Sequence, residues 1–264
     1  MIHKIFQSKR GEVHYWINLP QTNTNCIVFL HGMTADHSMF DNQVKYFNTM
    51  AKTLVLDLPL HGNSRPYDDF SYKNLAEDLY EILEMENEDN IIIVGQSMGG
   101  YLAQEYGILF PDKVKGMVLV DTNPYGHQYY SKLERYLLSM MGILSKPFPY
   151  QMLLKSIAKR STTTKEAYEN MHQAISKLNK KEIINIMNQA YRDFLKKTDT
   201  VTFNFPVLLV VGDKDTTGNV IKYNKMWAKN NNYSLKYIKN AAHNSNVDNP
   251  KEFNKILESF LHKL

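Results

Sequence analysis

Along much of the chain, short runs of aliphatic residues alternate with segments whose apolar positions return every third or fourth residue. This is the arrangement that builds a mostly parallel sheet covered by helices on both faces, an α/β fold. Val13 to Leu19 reads as an early strand paired antiparallel at the sheet edge. Asn25 to Leu30 and Thr53 to Asp57 read as buried strands, each running into a loop rich in Gly, Pro, His and Asp. Between Ser71 and Met85, Leu75, Leu79, Ile82 and Leu83 fall at helical spacing, which predicts a surface helix facing the sheet. Asn74-x-x-Glu77 fits a capping box within it. Asn90 to Val94, with three Ile and a Val, predicts a central strand. Met98 to Leu109 predicts a helix stopped by Pro111, and Val114 to Val120 a further strand.

After Asp121 this rhythm stops, and the next strong strand signal is Pro206 to Val211. The intervening residues are not loop-like. Leu133, Leu137, Leu138 and Met141 form one amphipathic patch, Met152, Leu153 and Ile157 a second, and Ile183, Ile184, Ile186 and Met187 a third. The pattern predicts a helical insertion, 123–200, above the C-terminal edge of a sheet domain made of 1–122 and 201–264. The earlier rhythm then returns: strand 206–211, a helix near 219–230, a strand near Ser234 to Ile238, and a last helix from Pro250 to Leu261.

A chain of 264 residues with 43% hydrophobic and 22% charged residues has the makings of one large core, which excludes wholesale disorder. The N-terminus lacks the apolar stretch of a signal peptide, and no apolar run is long enough to span a bilayer, so a soluble cytoplasmic protein is expected. Cys26 is the single cysteine; it cannot form an internal disulfide or a cysteine metal cage. The net charge of +4 is mild and forms no continuous basic stripe, which argues against a nucleic-acid partner. Its distribution is uneven. Asn123 to Thr200 holds 13 Lys or Arg against 6 Asp or Glu, a local balance of +7 above a remainder of −3.

The sharpest chemical signal is Gly95-Gln96-Ser97-Met98-Gly99, directly after one predicted strand and directly before a predicted helix. This is a G-x-S-x-G nucleophile elbow in the context it requires, a turn so tight that Gly must flank the serine. Serine is a poor nucleophile at neutral pH and needs a base, most often a neutral imidazole. Of nine histidines, His243 follows the last strand and should reach the same sheet edge as Ser97. His31 and His61 follow earlier strands and read better as loop-shaping residues. The base in turn needs a carboxylate. Asp215, in Gly212-Asp213-Lys214-Asp215, is the preferred acid, with Asp213 and Asp121 as the other candidates.

Together these residues resemble the α/β-hydrolase fold superfamily over nearly the whole chain, in the chain order Ser, Asp, His. His31-Gly32-Met33 resembles that superfamily's oxyanion loop, which implies an oxyanion hole built from the backbone N–H groups of Met33 and Met98. Asp57-Leu58-Pro59-Leu60-His61-Gly62-Asn63-Ser64 resembles its D-x-P-x-H-G-x-S turn, structural in relatives. By the same resemblance the insertion is a helical cap. Ser97 sets aside the haloalkane dehalogenases and epoxide hydrolases, which carry Asp at the elbow. The expectation is a serine hydrolase without metal or organic cofactor, acting on a small carboxylic ester or thioester. Carbon–carbon bond hydrolysis or lyase chemistry is one alternative; a ligand-sensing receptor with little turnover is another. The basic cap suits an anionic or carrier-bound acyl substrate, and its aromatic residues, Tyr125, Tyr130, Tyr136, Phe148 and Phe194 among them, are expected partly to wall an acyl pocket.

Overall fold

A computed structural model of the protein describes residues 1–18 and 26–264. Among the described residues eight strands form one sheet: β1 (Ile2–Ser8), β2 (Gly11–Ile17), β3 (Cys26–Leu30), β4 (Lys52–Leu56), β5 (Ile91–Gln96), β6 (Val114–Val120), β7 (Val207–Gly212) and β8 (Ser234–Ile238). Their spatial order is β1-β2-β4-β3-β5-β6-β7-β8. β1 and β2 form an antiparallel hairpin that joins β4 antiparallel; the pairings onward from β4 to β8 are all parallel. β5 lies in the middle, and Ile91, Ile92, Ile93 and Val94 are fully buried. A parallel strand covered on both faces is uniformly apolar rather than alternating, which is why this run signalled a central position.

The helices in chain order are α1 (Asp41–Phe47), α2 (Tyr72–Met85), α3 (Met98–Leu109), α4 (Lys132–Ser139), α5 (Met141–Ser145), α6 (Tyr150–Ser161), α7 (Lys165–Ser176), α8 (Lys180–Phe194), α9 (Val220–Asn231), α10 (Ser245–Asp248) and α11 (Pro250–Leu261). α4 to α8 fill the interval between β6 and β7. Tyr125, Tyr130 and Phe194 from this interval pack with Tyr72 and Tyr101 into one aromatic cluster, with Tyr101 and Phe194 centroids 4.4 Å apart. Tyr136 and Phe148 instead point into solvent. No helix among the described residues is long and apolar enough to cross a membrane.

Two details differ from the sequence reading, and one falls outside the described residues. β1 was not anticipated: Ile2 and Ile5 are exposed on an edge strand, so little of it shows the alternation of a half-buried one. Leu19 and Asn25, assigned to strand ends from sequence, lie outside the described residues. Asn74 is not the cap of α2, because the chain turns helical three residues earlier. The N-cap is Ser71, in extended conformation, whose hydroxyl accepts from the Asn74 N–H at 3.1 Å. The Asn74 amide donates to Asp69, and Glu77 pairs with Arg10.

Ser71→Ala is expected to lower unfolding free energy by about 1 kcal/mol, the usual worth of an N-cap, measured by urea unfolding.

Candidate active site

Between the end of β5 and the start of α3 the chain reverses through one residue, Ser97, held at φ 48° and ψ −113°. A non-glycine residue adopts that region only when its surroundings dictate it. Here they do. The Ser97 N–H donates to the Val120 carbonyl at 2.8 Å, and the Ser97 carbonyl accepts from the Thr122 hydroxyl at 2.6 Å, so both flanking peptides are fixed to the neighbouring strand and its exit. A Cβ on Gly99 would lie 2.1 Å from the Leu30 carbonyl oxygen, so only glycine lets the start of α3 press against the end of β3.

His243 stands in the loop after β8. Its Nε2 is 2.8 Å from Ser97 Oγ and its Nδ1 is 2.7 Å from Asp215 Oδ2. The three side chains nominated from sequence are thus joined in one hydrogen-bonded line. The Asp215 side chain is fully shielded from solvent, and its other oxygen accepts the Thr217 N–H at 2.7 Å. Asp213 is exposed, and the His243 Nδ1 partner is Asp215 instead. Asp121, just beyond β6, is fully buried but does not touch the imidazole. Its oxygens accept the Gly212 N–H at 2.7 Å and the Ser245 N–H at 3.1 Å, with Ser245 Oγ at 2.5 Å.

Burial disfavours protonation of His243, yet the negative charge of Asp215, its hydrogen bond and the more distant Asp121 outweigh it, so its proton affinity is raised above the ordinary histidine value. Arg160 acts in the opposite sense. Burial and the nearby Asp215 carboxylate push Asp121 well above the usual carboxylate range.

Met98 is the first residue of α3, where a backbone N–H has no acceptor within the helix. Met33 lies in a turn closed by the Ala35 N–H donating to Gly32 at 3.2 Å. A Cβ built on Gly32 would stand 3.3 Å from Ser97 Cβ, so this turn runs directly beside the serine. His31 and His61 are fully buried. His31 Nε2 accepts the Leu58 N–H at 2.9 Å and His61 Nδ1 meets the Pro59 carbonyl at 3.0 Å, so both act as loop braces. Burial, reinforced by His31, presses His61 down to about 3, which keeps it neutral.

Two participants escaped the sequence reading. Gln96 occupies a variable position of the elbow, yet its side-chain amide donates to the His243 carbonyl at 2.6 Å and ties the serine turn to the histidine loop. His37, which has no motif around it, sits 2.7 Å from Asp57 and helps hold that carboxyl down at about 2 despite burial. Among the described residues no group of three or more His, Cys, Asp or Glu side chains could hold a metal ion.

A sequence model of the alpha/beta hydrolase fold matches residues 25–250. Among characterised proteins, the chain is 25% identical over 181 residues to ethanol acetyltransferase 1 of Cyberlindnera jadinii, covering 65% of this chain and 51% of that protein. The chain therefore spans about half the length of that relative. It is 24% identical over 246 residues to the sn-1-specific diacylglycerol lipase ABHD11 of Mus musculus, covering 89% of this chain and 80% of the lipase. Among solved structures, a thermophilic esterase from Thermogutta terrifontis superposes with a TM-score of 0.81 at 18% identity, covering 100% of this chain and 99% of the other.

Because protonated His243 cannot accept a proton from Ser97, activity is expected to fall on the acid side at a pH above the ordinary histidine value of about 6.5. Asp215→Asn removes the charge that raises His243, so the acid limb of kcat/KM should move to lower pH as kcat drops. Asp121→Asn should leave most of kcat in place. A larger loss from Asp121→Asn than from Asp215→Asn would reassign the acid.

Proposed function

The chain belongs to the alpha/beta hydrolase family, and from that premise we propose that it is a serine hydrolase cleaving a small carboxylic ester or thioester through an acyl-enzyme on Ser97. The observation that carries this reading is the continuous line from Ser97 Oγ through His243 to Asp215, at 2.8 and 2.7 Å. In it, His243 Nε2 takes the hydroxyl proton as Ser97 Oγ attacks the carbonyl carbon, and Asp215 holds the imidazole in the required tautomer and stabilises the imidazolium. The Met33 and Met98 N–H groups receive the oxyanion, where one such donor is worth roughly 10²- to 10³-fold in kcat. Collapse expels the alkoxide or thiolate, which takes the proton from His243. Water, deprotonated by the same nitrogen, then releases the acid and restores Ser97. The names of the relatives, an acetyltransferase, a lipase and an esterase, support acyl transfer as the common chemistry.

Residues 123–200 serve in this reading as a cap over the serine. Its support is the contact between the end of α6 and the base: the Asn244 N–H, next to His243, donates to the Ser161 carbonyl at 2.8 Å. Arg160 immediately precedes that contact, is exposed, and forms no ion pair among the described residues. With its positive charge felt at His243, it makes a carboxylate-bearing acyl compound the favoured substrate class.

A fluorophosphonate should label Ser97, and Ser97→Ala or His243→Ala should each lower turnover of an ester by roughly 10⁴-fold or more. Labelling at another residue would remove the assignment. Arg160→Gln should reduce kcat/KM for a carboxylate-bearing ester about fivefold at low salt while sparing its neutral isostere, with the difference shrinking as salt rises. Equal effects on both esters would leave the cap charge without a role in selectivity.

A further inference from the structure

The surface of the helical interval is unusual in a way that the ester chemistry does not use. Seven of the sixteen exposed large hydrophobic side chains among the described residues fall within 133–152. Leu133, Tyr136 and Leu137 project from α4, Ile143 and Leu144 from α5, and Phe148 from the turn that follows. Leu133 is 66% exposed and Tyr136 61%. α4 has an amphipathic sequence, yet none of its residues is buried. A helix in water ordinarily buries its apolar stripe against the protein; this one leaves much of it uncovered.

The charge around these side chains is one-sided. From Ser131 to Ser161 the chain carries six Lys or Arg, and its only acid is Glu134. Glu134 is already engaged by the Tyr223 hydroxyl, by the Asn219 amide at 3.0 Å and by the Ser131 N–H at 2.8 Å. Lys132, Lys146, Lys155 and Lys159 form no ion pair among the described residues. Elsewhere in the interval Lys165, Lys177, Lys196 and Lys197 are paired with Glu169, Asp36, Asp193 and Glu105. Lys155 and Lys159, one helical turn apart, border a shallow hollow beside Met152, which is 54% exposed.

We propose that the outward face of α4, α5 and α6 docks on an anionic lipid surface, the apolar side chains entering the acyl boundary and the free lysines meeting the headgroup phosphates. Protruding apolar side chains combined with unpaired cations are the two signals that stable interfacial binding requires. Long lysine stems can lie along the apolar layer while their ammonium groups stay at headgroup level. The apolar side chains are spread over α4, α5 and the turn that follows, which suits a fluid surface that moulds to them. The proposal does not depend on which residues carry out the chemistry. It adds a place of action: α6 carries Lys155 and Lys159 and its end meets the His243 loop, so one helix links the docked face to the site.

The test is co-sedimentation of the whole protein with phosphatidylcholine vesicles, with and without phosphatidylglycerol, over a range of salt. Binding is expected only with the anionic lipid and should weaken as salt rises. Leu133→Ser/Leu137→Ser and Lys155→Gln/Lys159→Gln should each lower partitioning about tenfold or more. Both variants should keep the wild-type urea midpoint and turnover of a water-soluble ester, since the altered side chains are exposed. Failure to bind anionic vesicles, equal binding to neutral ones, or unchanged partitioning in both variants would overturn the proposal. So would self-association in light scattering lost in the same variants, which would make this face a contact between copies. Binding to a purified acidic acyl carrier protein in place of vesicles would assign it to a protein partner and overturn it equally.

Discussion

Behind Ser97 two stretches of backbone come closer together than a side chain allows. The start of α3 presses on the end of β3 with no room for a Cβ at Gly99, and the serine between β5 and α3 is left in a left-handed conformation. Such a residue costs about 1–3 kcal/mol and persists only where its surroundings over-determine it. The fully buried Ile91 to Val94 and Val118 to Val120 supply that determination, together with the bonds joining Ser97 to Val120 and Thr122. The hydroxyl consequently stands clear of the sheet edge. The same closeness brings the Gly32–Met33 turn alongside it, so the serine, the turn and the first N–H of α3 are set by one packing event.

A second constraint is electrostatic. Two carboxyl groups and one imidazole share a dry region, and two ionised carboxylates there would repel strongly. The structure separates them by environment. Asp215 faces the imidazole and a backbone N–H, whereas Asp121 accepts from Gly212 and Ser245 and sits one shell behind. Burial and the Asp215 charge raise the proton affinity of Asp121, which lessens that repulsion. Gln96 adds a geometric tie, since its donation to the His243 carbonyl keeps the His243 loop in register with the Ser97 turn.

How much of this was legible in the sequence followed from how local each signal is. The buried parallel strands stood out because burial on both faces removes polar residues, and Ser97 stood out because its turn demands glycine at fixed offsets. His243 and Asp215 were nominated from their places just beyond strands, and the structure brings both into one hydrogen-bonded line with Ser97. Gln96 left no trace, because its part in the geometry depends on a carbonyl 147 residues away. The amphipathic patch at Leu133 to Met141 was visible as a helix, but a periodic stripe tells only that an apolar face exists. It does not tell what covers that face, and on α4 the protein itself leaves it open. The weakly patterned β1 and the misplaced cap of α2 were missed because an exposed edge and a run of Ser, Asn and Glu each permit several local solutions.

Asp248, at the end of α10, accepts the N–H groups of Thr163 and Thr164 between α6 and α7, and also the Ala242 N–H beside His243. One carboxylate therefore stitches the connection between α6 and α7 to the peptide that precedes the imidazole. The position of that corner and the position of the histidine loop are therefore set by the same side chain, and neither can shift without straining the bonds that hold the other.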